Sequence, residues 1–500
     1  MDTTEKYIVS RRIICVLILF LLLLAIDTWH HEPWGDELHA WGLVLNNTNI
    51  ASLFDALHYE GHPGLWHFLL RGAALLSNDT ATPKILHFAI AASLLVMIAI
   101  APGLSFVERL LLYANYYSIF EYTVMARNYG IAMLLGLIYA QVRTATRQHP
   151  VIALALLGAI ANTNIYAGFL AGTLALEYTA ATWKRPKNIA TGLAVFCALG
   201  LLAAATIWPA ADISHHAHQP MLGTRDDLER LGLQLLQTAV APFVPIDLSF
   251  PESFAFPGQL FANGLRVWAF ALLLPCIAAG LWTIFRDRPR FLAVLAGLIA
   301  LAAGFAFLVY PSAIRHVGVV FVGFVVLLSI HRTLPPEPGT QPHSAAGLAV
   351  LGLLALGAVG GGTALAGQWM RPFSIDGAAA RWLTDHSPPN AALVGIEDIR
   401  TEPIAILLGR RFYALDCRCE DSYVRFLNRR DGFRDVTIPE RLEEAVRLYR
   451  PRPIVLLVGA PIAAPIRAAI EARGLMLTES IHLAGAERDR DITIFRVTEQ

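Results

Sequence analysis

Residues 11–47 read RRIICVLILFLLLLAIDTWHHEPWGDELHAWGLVLNN. Two arginines precede an apolar run from Ile13 to Ile26, and the run ends in a segment crowded with histidines, carboxylates and tryptophans. Basic residues beside an apolar stretch keep that flank in the cytoplasm, so this pattern predicts a membrane helix whose far end faces outward. The start resembles a secretion signal, but no small-residue cleavage site follows Ile26. The reading is therefore an uncleaved first span.

The rest of the chain extends the pattern. Of 500 residues, 55% are hydrophobic and 16% charged, against about 25% charged in a soluble domain. Mean hydropathy is +0.51. A water-soluble core cannot absorb that much apolar sequence without large exposed patches. Zero net charge gives no footprint for nucleic acid, and the partners expected are lipids. Stretches that suit the roughly 20 apolar residues of a spanning helix lie at 13–28, 83–102, 104–120, 128–142, 151–163, 165–182, 189–209, 265–284, 291–310, 316–331 and 345–366. Basic groups at Arg11–Arg12, Arg143–Arg147, Lys184–Lys187, Arg286–Arg290 and His331–Arg332 all fall on one side if eleven spans alternate. That alternation requires Pro63–Leu76 to lie along the interface, with His67 and Arg71 on one face of a short helix. The alternative is an ordinary short span.

The outer face then receives residues 29–82, 121–127, 162–164, 211–264, 311–315 and everything after 366. Leu334–Ser344 is a Pro-rich cytoplasmic loop. The expected organisation is a membrane domain over 1–366 and a small extracytoplasmic α/β domain over 367–500. In the latter, strands are predicted at Ala392–Ile396, Phe412–Leu415, Pro453–Val458 and Asp491–Val497, and helices at Ile375–Thr384, Pro439–Tyr449 and Ala463–Ala472. Cys417 and Cys419 are too close in sequence for an easy bridge and read as two inert thiols.

The outer loops carry the chemistry. Asp36-Glu37 opens an apolar helical pattern through Leu45; the bland alternative is an Asp N-cap with a first-turn Glu. Tyr59-Glu60-Gly61-His62-Pro63 follows, with Pro63 suited to a first helical turn. Glu121 and Arg127 stand at the outer mouth of two spans, where a loop-anchoring ion pair is the plainer reading. Arg315 and His316 stand at another mouth; arginine suits phosphate, and a snorkelling arginine is the alternative. His215, His216 and His218 form a further cluster without a clear fourth metal ligand.

A first span, an outer loop with an Asp-Glu motif, and a Glu-x-x-Pro or His-Pro element opening an interfacial helix together resemble the GT-C glycosyltransferases. The branch most similar is that of protein O-mannosyltransferases and the aminoarabinose transferases of lipid A. There the second element commonly reads His-Pro-Pro or Lys-Pro-Pro; here it is Glu60-Gly61-His62-Pro63-Gly64. The resemblance implies a sugar moved from a polyprenyl-phosphate carrier to an envelope acceptor on the outer face, in a bacterial inner membrane. It implies that Asp36 is the general base, with Glu37 its supporting neighbour and Glu60 the acidic residue beside the interfacial helix. Glu121 is assigned as a further carboxylate by location. A departing phosphate needs cations or a divalent metal, and His62, Arg127, Arg315 and His316 are the candidates. Two other readings are a lipid-linked glycan flippase, which needs ionisable groups at mid-membrane, and a scaffold displaying the tail.

Overall fold

The computed structural model describes residues 11–145, 149–182, 186–213, 225–246, 264–310, 312–336, 344–426, 433–484 and 491–499. The cluster His215, His216 and His218, the basic residues Arg147 and Lys184, and positions 337–343 of the Pro-rich loop lie outside them. Among the described residues the chain before Arg371 is helical. Its helices are α1 Arg11–His30, α2 Gly35–Asn46, α3 Ile50–Leu57, α4 Leu65–Ala74, α5 Thr82–Ile100, α6 Phe106–Tyr113, α7 Tyr129–Thr144, α8 Pro150–Ala161, α9 Ile165–Thr182, α10 Pro186–Ile207, α11 Arg225–Val240, α12 Gly264–Phe285, α13 Pro289–Leu308, α14 Ile314–Thr333 and α15 Ser344–Met370.

Seven of these (α1, α5, α10, α12, α13, α14 and α15) are long and apolar enough to cross a membrane. The protein is an integral membrane protein. Valine-rich α14 is buried along nearly its whole length, whereas α1, α10 and α12 bury little and turn their apolar faces outward, as helices bathed in lipid do. The predicted stretches at 128–142, 151–163 and 165–182 are the shorter helices α7, α8 and α9. The stretch 104–120 is not one helix. Ser105 and Glu108 cap the start of α6 reciprocally, with Ser105 N–H donating to Glu108 Oε2 at 2.7 Å. After α6 the Asn115 side chain takes the Tyr117 N–H, and a π-helical turn covers Tyr117–Glu121.

Two buried carboxylates of the helical region, Glu108 and Glu177, face arginines. Glu108 meets Arg332 at 3.0 Å. Glu177 faces Arg290 at 3.2 Å and Arg143 at 3.8 Å. Helix α15 lies close against the α6 end: a Cβ on Gly361 would collide with the Ala114 carbonyl and sit 2.9 Å from Ile119 Cγ2. Gly361→Ala is therefore expected to cost about 1–3 kcal/mol, read as a lowered melting temperature of the purified protein.

Helix α4 is ten residues, about 15 Å at 1.5 Å per residue, half of a hydrocarbon core. It buries Trp66, His67 and Leu70 and exposes Leu69, with Leu75 and Leu76 exposed just past its end, an amphipathic arrangement suited to the interface.

After Met370 the chain forms α16 Asp376–His386, β1 Ala392–Gly395, α17 Asp398–Leu407, β2 Phe412–Ala414, β3 Cys419–Asp421, α18 Ile438–Tyr449, β4 Ile454–Val458, α19 Ala464–Glu471, β5 Leu475–Leu483 and β6 Ile492–Glu499. The six strands make one sheet in the order β3-β2-β1-β4-β6-β5. Strand β1 runs parallel to β2 and β4, and the remaining pairs are antiparallel. All four predicted strands and three predicted helices are present; α17, β3 and β5 are additional. Pro403 sits inside α17 and masks it from pattern reading. Strand β5 is an edge strand with mostly exposed residues. Cys417 and Cys419 are not free thiols. They are joined in a disulfide, because Arg418 adopts a left-handed φ of 53° and folds the β2–β3 turn tightly enough to bring the Cα atoms to 5.2 Å.

The sheet domain docks on α2. Gly42 makes this possible: a Cβ there would strike Ile406 of α17 and reach Tyr423 Cβ at 3.4 Å. Asn47 Nδ2 donates to Tyr423 Oη at 3.0 Å, and Ser422 Oγ donates to Asn46 Oδ1 at 2.6 Å.

Candidate active site

The site is built around the N-terminus of α2. Trp34, not Asp36, is the N-cap. Asp36 and Glu37 are the second and third helical residues, and the two carboxylates go different ways. Glu37 is buried, at 3% exposure. Its Oε2 accepts the Trp34 N–H at 3.1 Å and faces His31 Nε2 at 2.9 Å, while Oε1 accepts the Ala126 N–H at 2.6 Å. Burial works against its charge, but the His31 charge and these hydrogen bonds hold the carboxyl below its ordinary range. Glu37 ties the start of α2 to the 121–127 turn and is closed to a substrate.

Asp36 points the other way, with its side chain 35% exposed. Oδ2 lies 2.6 Å from Arg127 Nη1 and 3.2 Å from Arg315 Nη2. Both guanidiniums are largely buried. Arg315 also sits over the Trp34 ring, 5.3 Å from its centroid, and its backbone carbonyl accepts from the Tyr122 hydroxyl at 2.7 Å. Arg127 and Arg315 come from chain segments nearly 190 residues apart and converge on one carboxylate.

His62 joins them differently from expectation. Arg127 Nη2 donates to His62 Nε2 at 3.2 Å. Burial first, and the Arg127 charge next, push the imidazole down to about 3. His62 is thus a neutral ring at physiological pH, not a cation. Its Nδ1 is buried with no hydrogen-bond partner among the described residues.

Glu121 is buried and accepts the Tyr116 hydroxyl at 2.6 Å. Burial raises its carboxyl, opposed by that hydrogen bond and by the charges of Arg315 and Arg127. It therefore stands behind the arginine pair. His316 does not stand free as a phosphate cation. Its Nδ1 accepts the Ala313 N–H at 2.9 Å, closing the first turn of α14, and its ring stacks on Tyr166 with centroids 4.9 Å apart. An Nδ1 that accepts belongs to a neutral imidazole.

Glu60 is held apart from the arginines. Its Oε1 lies 2.5 Å from His39 Nε2, and His39 Nδ1 faces both oxygens of Glu402, at 2.9 and 3.0 Å. Burial opposes a charge on Glu60, but the His39 charge and hydrogen bond bring it down to about 2. Sequence reading placed Glu60 in the site without His39 and Glu402. His39 lies at helical spacing from Asp36, which offered a signal. Glu402 lies 363 residues from His39 within an unpredicted helix and offered none.

No protein-family model matches the chain, and no curated protein matches it. Among solved structures it is similar to ArnT from Cupriavidus metallidurans bound to undecaprenyl phosphate, with 13% identity and a TM-score of 0.53 over 96% of this chain and 97% of that one. The same protein in the apo state aligns at 13% identity with a TM-score of 0.47, over 96% of this chain and 97% of that one. Arabinofuranosyltransferase AftD from Mycobacteria aligns at 14% identity with a TM-score of 0.43, over 97% of this chain and 41% of that one. At such identity the first overlay speaks for the fold, and it runs through both the helical region and the tail sheet. The chain has the fold of the GT-C membrane glycosyltransferases.

Proposed function

We propose that this protein is an inverting glycosyltransferase that moves a sugar from a polyprenyl-phosphate donor to an envelope acceptor on the outer face of a bacterial inner membrane. The observation that carries the reading is the half-exposed Asp36 carboxylate clasped by two buried arginines. Buried cations are costly to leave unpaired, so Asp36 serves as their counter-ion while the site is empty. A donor phosphate offers the guanidiniums a better-matched, bidentate partner. As they turn to it, Asp36 is released to act as a base. The acceptor oxygen bonds to the anomeric carbon, the carbon–phosphate oxygen bond breaks with its electron pair leaving on the phosphate, and Asp36 takes the hydroxyl proton. Arg127 and Arg315 hold the charge that develops on the phosphate, and His62 Nε2 accepts from Arg127 Nη2 behind them. The ArnT structure with the same fold holds undecaprenyl phosphate, which supports this class of lipid.

Outward orientation is supported by the basic residues gathered at the opposite helix ends. The Cys417–Cys419 disulfide agrees with it, since such bonds persist in oxidising compartments. A transporter is disfavoured because Glu177 and Glu108, the carboxylates within the predicted spans, face arginines.

Binding of undecaprenyl phosphate to the protein in nanodiscs tests the reading. Arg127→Gln and Arg315→Gln are each expected to weaken it about 10–100-fold, from the ~1.5–3 kcal/mol of a charged hydrogen bond. Binding unchanged in both variants contradicts it. We also propose that these arginines carry the phosphate charge without a divalent ion. Transfer is then expected to persist in excess EDTA; its loss, restored by added metal, contradicts that point.

A further inference from the structure

The buried Glu60–His39–Glu402 link joins the sheet domain to the edge of the site. Both carboxylates are nearly closed to solvent, at 9% and 2% side-chain exposure, with the imidazole between them at 13%. Glu402 is fixed from behind by the Val424 N–H, which donates to its Oε1 at 2.8 Å. The Phe426 ring covers His39 with centroids 5.6 Å apart. Two carboxylates this close, and this dry, repel each other unless a cation separates them.

From these contacts we infer that Glu402 of the tail domain is a positioning residue. Acting through the His39 imidazolium, it holds Glu60 in place beside His62, so that the tail domain is a working part of the outer-face site. This inference rests on the proposed transfer reaction.

Titratable groups from four elements face the link. The 58–64 loop contributes Glu60 and His62, α4 contributes His67, α17 contributes Glu402, and the 121–127 turn contributes Arg127. Burial works against a charge on His39, but the two carboxylates raise it well above its ordinary value. His67, in contrast, is pushed down to about 4, by burial first, and is neutral. A raised histidine contributes stability that is fully present below its unfolded value and is lost as pH rises through the folded one. The link therefore holds at neutral pH and opens on the alkaline side. Two residues on from Glu60, His62 Nε2 accepts from Arg127 Nη2, while Arg127 Nη1 reaches Asp36.

Glu402→Gln keeps the shape and removes the charge. In the full-length protein, with folding checked by melting, this variant is expected to lower kcat on the order of 100-fold, the scale of a misplaced site, while the donor KM stays within about twofold. With one carboxylate left, His39 titrates lower, so the alkaline limb of the kcat profile moves to lower pH. Glu402→Asp is expected to restore part of kcat. A lowered melting temperature with an unmoved alkaline limb contradicts the positioning role, as does a wild-type kcat in Glu402→Gln.

The His39 titration, followed by NMR of isotope-labelled histidine with His39→Gln to assign the signal, does not depend on transfer. An ordinary or lowered His39 value in the wild type overturns the link itself. A raised value in a protein that transfers no sugar overturns only the proposed reaction.

Discussion

Asp36→Asn is expected to lower sugar transfer about 10²–10⁴-fold, the range contributed by a positioned general base, while leaving the protein folded. The side chain is half-exposed at the second residue of α2. An asparagine oxygen there can still accept from Arg127 or Arg315, so the local architecture survives. What it cannot do is take a proton from the acceptor hydroxyl. Donor binding is expected to hold or tighten, because the two arginines remain and lose a competing anion. Initial rates and donor affinity measured side by side check this. A variant that transfers at the wild-type rate removes Asp36 from the chemistry.

The second large effect is on stability, at the neighbouring residue. Glu37→Ala leaves the Trp34 and Ala126 N–H groups and the His31 ring without their shared acceptor in a closed interior. Removing one side of a buried charged network costs about 3–5 kcal/mol, a large part of the 5–15 kcal/mol that keeps a domain folded. Chemical denaturation in detergent measures it. Glu37→Gln is expected to be milder, since an amide oxygen replaces one acceptor while its NH₂ meets a donor. The pH dependence has a definite sign. A carboxyl held low in the folded protein contributes stability present above its unfolded value near 4.5 and lost as pH falls through the folded one. Glu37→Ala should remove that acid sensitivity. Two adjacent carboxylates thus separate: Asp36→Asn loses turnover and stays folded, whereas Glu37→Ala loses stability.

That separation was not legible in the sequence, which shows only Asp36-Glu37 before a helical run. Both sit in the first turn, and about 100° of helical rotation decides which faces the cleft and which the interior. The spans were legible because lipid imposes a long apolar run on each. Where the chain packs inside the bundle and not against lipid, that constraint relaxes, and the buried Tyr117–Glu121 segment after α6 could form a π-turn without leaving a compositional mark. The convergence of Arg127 and Arg315 on Asp36 was legible only as three separate residues assigned to one face. His62 and His316 were expected as cations. Burial beside arginines makes the first neutral, and a capping role consumes the second. Both effects arise from neighbours distant in sequence. The tail domain's place in the site depends on Glu402, whose partner lies 363 residues away.

Transfer of a sugar from a polyprenyl-phosphate carrier is assigned to the Asp36–Arg127–Arg315 cluster. Its most direct test presents the reconstituted protein with radiolabelled polyprenyl-phosphate sugars and envelope extract, alongside Asp36→Asn. The predicted result is label in an acceptor product formed by the wild type alone, with the anomeric configuration inverted. Label transferred equally by both proteins, or by neither from any donor offered, contradicts the account.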